Sequence, residues 1–163
     1  MLPLIKTGKA TGNILFGRMY GCRYFALKRE PLFDLWPIII VMDVKSKWFE
    51  GLNLHYLPLD ARKELFPLLK RFIINRDGNY FLFREFKRVL YTQTFRLAQV
   101  CVKRYRKENI FGGRTIRIRD DLWENILYEK RERFFRWQGQ NLRSLKSPII
   151  WRESIRKSRG VGK

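Results

Sequence analysis

Pro37-Ile38-Ile39-Ile40-Val41-Met42-Asp43-Val44, then Lys45-Ser46-Lys47, then Trp48-Phe49-Glu50-Gly51-Leu52-Asn53-Leu54-His55-Tyr56-Leu57: this stretch decides the architecture of the chain. The first run is aliphatic and rich in β-branched residues, which favours a strand buried on both faces. The polar triplet reads as a tight turn. The second run alternates Leu52, Leu54 and Tyr56 with Asn53 and His55. Two such runs on a short polar link predict an antiparallel hairpin. Gly51 inside the second run predicts a bulge or bend, as small barrels need at their corners.

Upstream, Met19 to Lys28 reads as an aromatic-rich strand, with Tyr20, Tyr24 and Phe25. Arg29 to Asp34 reads as a connecting loop, because Pro31 has no ladder donor. Residues 1–18, with Gly8, Gly12 and Gly17 among Lys6, Lys9 and Arg18, read as a basic arm. Downstream, Pro58 punctuates. Leu59 to Ile74 carries Leu65, Leu68, Leu69, Phe72 and Ile73 at helical spacing, with Asp60 at the favourable end of the dipole. Pro67 predicts a kink or a second helix start. Asn75 to Asn79 is a turn, and residues 80–92 fit strand or helix.

Thr94 to Lys107 places Phe95, Ala98, Cys101, Val102 and Tyr105 on one stripe, predicting an amphipathic helix with a basic outer face. Gly112-Gly113 is a turn. Arg114 to Arg119 alternates, predicting a strand with Ile116 and Ile118 inward and the arginines outward. Asp121-x-x-Glu124 fits a capping box for a helix running to about Phe135. From Trp137 the pattern decays. The fold expected is α+β, a small antiparallel sheet with an SH3-like barrel as one form, packed with three to four helices. Residues 1–18 are the N-terminal arm, 19–136 the domain and 137–163 a basic C-terminal tail.

Of 163 residues, 45% are hydrophobic and 13 are Phe, too apolar for a disordered chain. Lys and Arg number 35 against 15 Asp and Glu, a formal charge of +20. Solubility of a small domain needs only about 2–8 net charges, so the surplus points to a polyanionic partner. No apolar run approaches the roughly 18–20 residues of a membrane span. The N-terminus lacks a basic segment followed by an apolar one, so neither membrane nor secretion is expected. Cys22 and Cys101 lie among apolar neighbours and read as buried thiols.

The chain has one histidine, His55, and no Cys or His pair at metal-ligand spacing. A structural role suits His55 better than a phosphate contact. Asp34, Asp43, Glu50, Asp60, Glu85, Asp120 and Asp121 could serve a magnesium nuclease only if two or three converged. No phosphate-cradling Gly-Lys-Ser/Thr loop or dinucleotide fingerprint is present. The expectation is no enzyme, no cofactor, no metal and no small-molecule substrate.

The cations themselves are the legible feature. Arg143, Lys146, Arg152, Arg156, Lys157, Arg159 and Lys163 along the tail suit phosphate contacts that read no bases. Lys103, Arg104, Arg106 and Lys107, with Arg114, Arg117 and Arg119, could form a second patch. Double-stranded DNA is the polyanion expected. An acidic protein subunit, or structured RNA of ribosome type, fits the same composition. Aromatics on apolar stripes are core far more often than stacking platforms for bases, and none is assigned that role.

Three strings carry a family resemblance: Leu32-Phe33-Asp34-Leu35-Trp36-Pro37, Gly51-Leu52-Asn53-Leu54-His55-Tyr56-Leu57-Pro58, and Cys101-Val102-Lys103-Arg104-Tyr105, with the strand and Asp-x-Trp-Glu helix of 114–124 beside them. Over residues 20–135 the chain resembles a family of small virion proteins of T4-like tailed bacteriophages, commonly labelled DNA end protectors. Phe33 and Trp36 depart from the Tyr and Phe of the family pattern, as does the arginine-rich tail. The resemblance implies a virion location, assembly in the host cytoplasm, contact with other virion proteins, and a place at the genome end near the head–tail junction. It implies no catalytic residues.

Overall fold

The computed structural model describes residues 10–26, 32–57, 59–75, 88, 101–127, 134–138 and 141–145. Among them the strands are β1 (Ala10–Thr11), β2 (Met19–Tyr24), β3 (Leu32–Asp34), β4 (Ile38–Val44), β5 (Trp48–Asn53), β6 (Val102–Arg106), β7 (Ile110–Ile118), β8 (Phe134–Gln138) and β9 (Asn141–Leu145). Two helices are described, α1 (Leu59–Asn75) and α2 (Trp123–Leu127). One sheet runs β1-β7-β2-β4-β5-β6 and a smaller one β3-β8-β9, with all pairings antiparallel. The class is α+β.

β4 and β5 form the expected hairpin, with Ile40 opposite Leu52 and Val44 opposite Phe49. The turn closes where Lys45 N donates to Trp48 O at 2.8 Å. β4 is buried on both faces, as its composition predicts. Ile38, Ile40 and Met42 enter one apolar cluster; Ile39 and Val41 enter another.

The larger sheet is rolled, and its connectivity requires it. Only Lys107–Asn109, a 3-10 turn, joins β6 at one edge to β7 near the other. That link spans at most about 14 Å of chain. Four strand spacings in a flat sheet would need about 19 Å. The Tyr24 and Tyr105 rings, on β2 and β6, accordingly meet edge-on with centroids 5.1 Å apart. Across the same seam Phe25 N donates to Asn109 O at 2.9 Å, and Asn109 Nδ2 donates to Tyr24 OH at 3.3 Å. Tyr20, Cys22, Tyr24, Val41, Phe49, Tyr105 and Ile110 fill the concave side. The convex side is covered by α1 and α2 through Leu65, Trp123, Ile126 and Leu127. Arg62 of α1 is itself buried and binds the helices together, donating from Nε to Leu57 O at 2.9 Å and from Nη1 to Leu127 O at 3.2 Å.

Several expectations are corrected. The helix over Thr94–Lys107 is strand where it is described, at Val102–Arg106. In a five-residue segment with a core on each side, Val102 packs against the outer cluster and Tyr105 enters the inner one. That arrangement needs alternation, and β5 supplies the backbone partners. Arg29–Asp34 is not all loop, since Leu32–Asp34 pairs with β8 once Pro31 is passed. The helix expected to reach Phe135 is described only over Trp123–Leu127, and Phe134 begins β8. Asn141–Leu145 pairs with β8, so a hairpin stands at the start of the predicted tail. Described helices number two rather than three to four, and α1 runs unbroken through Pro67. Leu54–Tyr56 is a 3-10 turn rather than a strand end. Part of the predicted arm is docked: Ala10 pairs with Ile116, and Gly17 N donates to Val41 O at 2.7 Å. The ambiguous segment 80–92 lies, Arg88 apart, outside the described residues, as does 94–100.

The bulge foreseen at Gly51 sits on its partner, where Met42 is skipped between the pairs Val41–Gly51 and Asp43–Glu50. Gly51 is required for a different reason. A Cβ there would lie 2.9 Å from Ile40 O and against Ile39 Cγ2. Gly51→Ala should therefore lower stability by about 1–3 kcal/mol, the usual range for overpacking. Urea denaturation followed by tryptophan fluorescence checks this, and an unchanged midpoint would refute the contact.

Candidate nucleic-acid interface and the buried node behind it

The cations singled out in the sequence fall into separate places. On β6, Lys103 is half-buried, its Nζ 4.6 Å from the centre of the Tyr56 ring. Arg104 is exposed and lies over the Trp48 ring at 4.1 Å. Its Nη2 and Nε donate to Glu50 Oε1 at 2.9 and 3.2 Å. Arg106 meets Glu108 at 3.3 Å. Lys107 sits in the 3-10 turn, its backbone N donating to Lys47 O at 3.0 Å, so Lys45 and Lys47 of the β4–β5 turn join this end of the larger sheet. Arg114 is exposed on β7, Arg117 is half-buried and Arg119 is exposed. Arg119 donates from Nε and Nη2 to Asp121 at 3.0 and 2.8 Å. Arg117, Arg119, Asp120 and Asp121 line a shallow open depression. Arg18 reaches Asp120 at 3.3 Å from the other side.

The basic residues of 103–107 and 114–119 are thus consecutive across the seam, but the strand carries Arg117 and Arg119 away from Lys107 at roughly 3.3 Å per residue. They form two groups, one at each end of β7. Asp121, expected to cap a helix, instead grips Arg119. Arg143 is on β9. Lys146, Arg152, Arg156, Lys157, Arg159 and Lys163 lie outside the described residues.

Family models, curated proteins and solved structures yield no match to this chain.

The resemblance strings meet in the interior. Asp34 is buried at the end of β3 and accepts three hydrogen bonds: from Trp36 N at 3.0 Å, Asn53 Nδ2 at 3.1 Å and His55 Nδ1 at 2.6 Å. Asn53 also donates to Tyr105 OH at 2.9 Å and accepts from His55 N at 2.9 Å, which starts the 3-10 turn. A buried carboxylate needs several donors to offset lost hydration, and this one has them. His55 is 1% exposed, so the group is closed to a substrate. Sequence alternation put His55 on a polar strand face. The turn at Leu54–Tyr56 rotates it inward. The missed signal was Asp34, a lone acid among Leu32, Phe33, Leu35 and Trp36. Among the described residues, no three His, Cys, Asp or Glu side chains are grouped to hold a metal. The surface carboxylates are dispersed onto separate cations instead, as in Asp43–Lys45, Glu50–Arg104 and Asp120–Arg18.

Both cysteines are buried and free. Burial drives the Cys101 thiol up to about 12 despite the opposing charges of Lys103 and Arg62. Burial, then the Asp34 charge, pushes Cys22 up as well. Tyr56 and Tyr105 are raised mainly by burial.

Two outcomes are expected. Asp34→Asn strands the donors of Asn53 and His55 and should destabilise by about 2–4 kcal/mol, read as a lower urea midpoint at constant slope. The raised acids make the protein alkali-sensitive. Folded thiols and phenols keep protons that the unfolded chain releases above 9.0 and 10.0 respectively. Their stabilisation is whole below pH 9, falls as pH rises beyond it, and is gone once pH passes the folded values. Stability measured from pH 8 to 11 should decline by up to about 1.4 kcal/mol per pH unit for each group ionised only in the unfolded chain.

Proposed function

We propose that this chain is a structural protein of a tailed-phage virion that holds double-stranded DNA at the genome end, near the head–tail junction, through phosphate contacts that read no sequence. The observation that carries it is the display of Arg104 and Arg106 on β6, Arg114 and Arg117 on β7, and Lys107 and Arg119 in the turns that follow those strands, in a chain of charge +20. Arginine forks suit phosphate oxygens, and strands fix their spacing. The basic segment after Leu145 adds Lys146, Arg152, Arg156, Lys157, Arg159 and Lys163 to the same task. No catalytic step is part of this reading. The strand order β7-β2-β4-β5-β6, with one 3-10 turn joining β6 to β7, supports an SH3-like barrel as the form of the fold. A barrel of that kind does not itself imply a function.

A second reading is favoured by the pairs Arg104–Glu50, Arg106–Glu108 and Arg119–Asp121. Arginines already bound to carboxylates are suited to an acidic partner subunit in a neck, tail or baseplate.

Fluorescence anisotropy with a blunt duplex separates the two. The DNA reading expects affinity independent of sequence, and a log–log salt slope near −0.9 per phosphate contacted. Replacing Arg114 and Arg117 by Ala should flatten that slope by roughly one unit each. Cutting the chain after Leu145, which spares β9, should weaken binding severalfold. Absence of duplex binding near 0.15 M salt would overturn the DNA reading in favour of an acidic protein.

A further inference from the structure

β7 breaks its own ladder at one place. Tyr24 pairs with Ile110 and Cys22 with Thr115, so the single residue Arg23 on β2 faces four residues on β7: Phe111, Gly112, Gly113 and Arg114. The excess chain arches out on two consecutive left-handed glycines, Gly112 at φ 68° and Gly113 at φ 62°. Neither has any atom within 4 Å of where a Cβ would stand. So the glycines are there for backbone conformation, not for close packing. Bulges of this kind re-aim side chains.

The arch carries Phe111 into solvent, 67% exposed, the most exposed large apolar side chain among the described residues. Arg23 is exposed too, and its guanidinium lies 4.6 Å from the centre of the Phe111 ring and 5.7 Å from that of Trp36. The one cation therefore lies within cation–π range of both rings. Arg114, on the far side of the glycine pair, is exposed. A largely exposed aromatic ring in contact with a guanidinium, with a second exposed arginine three residues along the same arch, matches an unpaired nucleotide: a base for the ring and a phosphate for the cation. Inside a duplex the base faces are stacked on one another and only the outer face of a terminal pair is open to such a ring, whereas each unpaired base offers its own face.

We infer that Phe111, carried on the arch of residues 111–114, forms with Arg23 and Trp36 a stacking site for unpaired bases, adjoining the duplex-binding cation Arg114 in the chain. It rests on the nucleic-acid reading above and adds a preference for frayed or single-stranded ends. An aromatic pocket for a protein segment is the competing occupant. The surrounding charge argues against it, since Arg23 and Arg114 leave no purely apolar floor.

The test uses the full chain and three labelled probes: a blunt duplex, the same duplex with a six-thymidine overhang, and oligo-dT alone. The overhang should bind about tenfold tighter than the blunt duplex. Phe111→Ala, at an exposed position that leaves the core intact, should erase that difference and leave blunt-duplex affinity unchanged. Gly112→Ala with Gly113→Ala, which strains the arch, should reduce the difference in the same direction. Equal affinity of the unmodified protein for blunt and overhung duplex would overturn the site while leaving duplex binding standing. An overhang preference that persists in Phe111→Ala would overturn it too. Loss of binding to all three probes would overturn both readings together.

Discussion

A single buried carboxylate joins what the backbone leaves separate. Asp34 ends a strand of the small sheet, while its donors Asn53 and His55 belong to the last strand and first turn of the large hairpin, and Tyr105 beyond them belongs to β6. Taking a carboxylate out of water is expensive unless several donors converge on it. Once they converge, geometry is fixed by direction as well as distance, which apolar contacts alone do not achieve. The two sheets are thus referenced to one point. The placement of Lys103 over Tyr56, and of the seam turn, follows from it.

Three short strings of sequence, Leu32–Pro37, Gly51–Leu57 and Cys101–Tyr105, supply that node: Asp34 from the first, Asn53 and His55 from the second, Tyr105 from the third. Gly51 permits close approach to β4, Asn53 and His55 bind Asp34, and Leu57 offers its carbonyl to Arg62. Such a string specifies a fold. The surface is specified elsewhere, by arginines whose neighbours are carboxylates, rings or water. Arg104 shows the arrangement most fully, its guanidinium 4.1 Å from the centre of the Trp48 ring while Glu50 occupies its fork. A phosphate competing for that fork meets a guanidinium already oriented, which lowers the entropy lost on binding.

Much of the architecture was legible because it rests on local pattern. Ile38–Val44 is apolar at every position up to Asp43 and could only be a two-faced strand; Lys45-Ser46-Lys47 could only turn; Leu65 and its neighbours could only face a core. The β6 segment misled because Cys101, Val102 and Tyr105 satisfy a helical stripe, and nothing local reveals that both faces of this strand are covered. Leu32–Asp34 was hidden for a related reason, its partner lying a hundred residues away in β8. Among the surface groups, charge was visible in the sequence, but its pairing with Glu50, Glu108 and Asp121 was not. Nor was the exposure of Phe111, which composition alone assigns to a core.

β2 lies between β4, its near neighbour in the chain, and β7, where Met19 pairs with Ile118. During synthesis β2, β4 and β5 leave the ribosome early and can form a curved three-stranded fragment. Its closing strand does not exist until Ile110–Ile118 has been made, long after β5. Through that interval Tyr20, Cys22 and Phe49 line an open trough, and β2 offers an unsatisfied edge. Such a fragment is the form in which a nascent chain most readily meets a chaperone or another copy of itself. The short turn at Lys107–Asn109 then delivers β7 to the gap as soon as β6 has docked, so the last closure is entropically the cheapest.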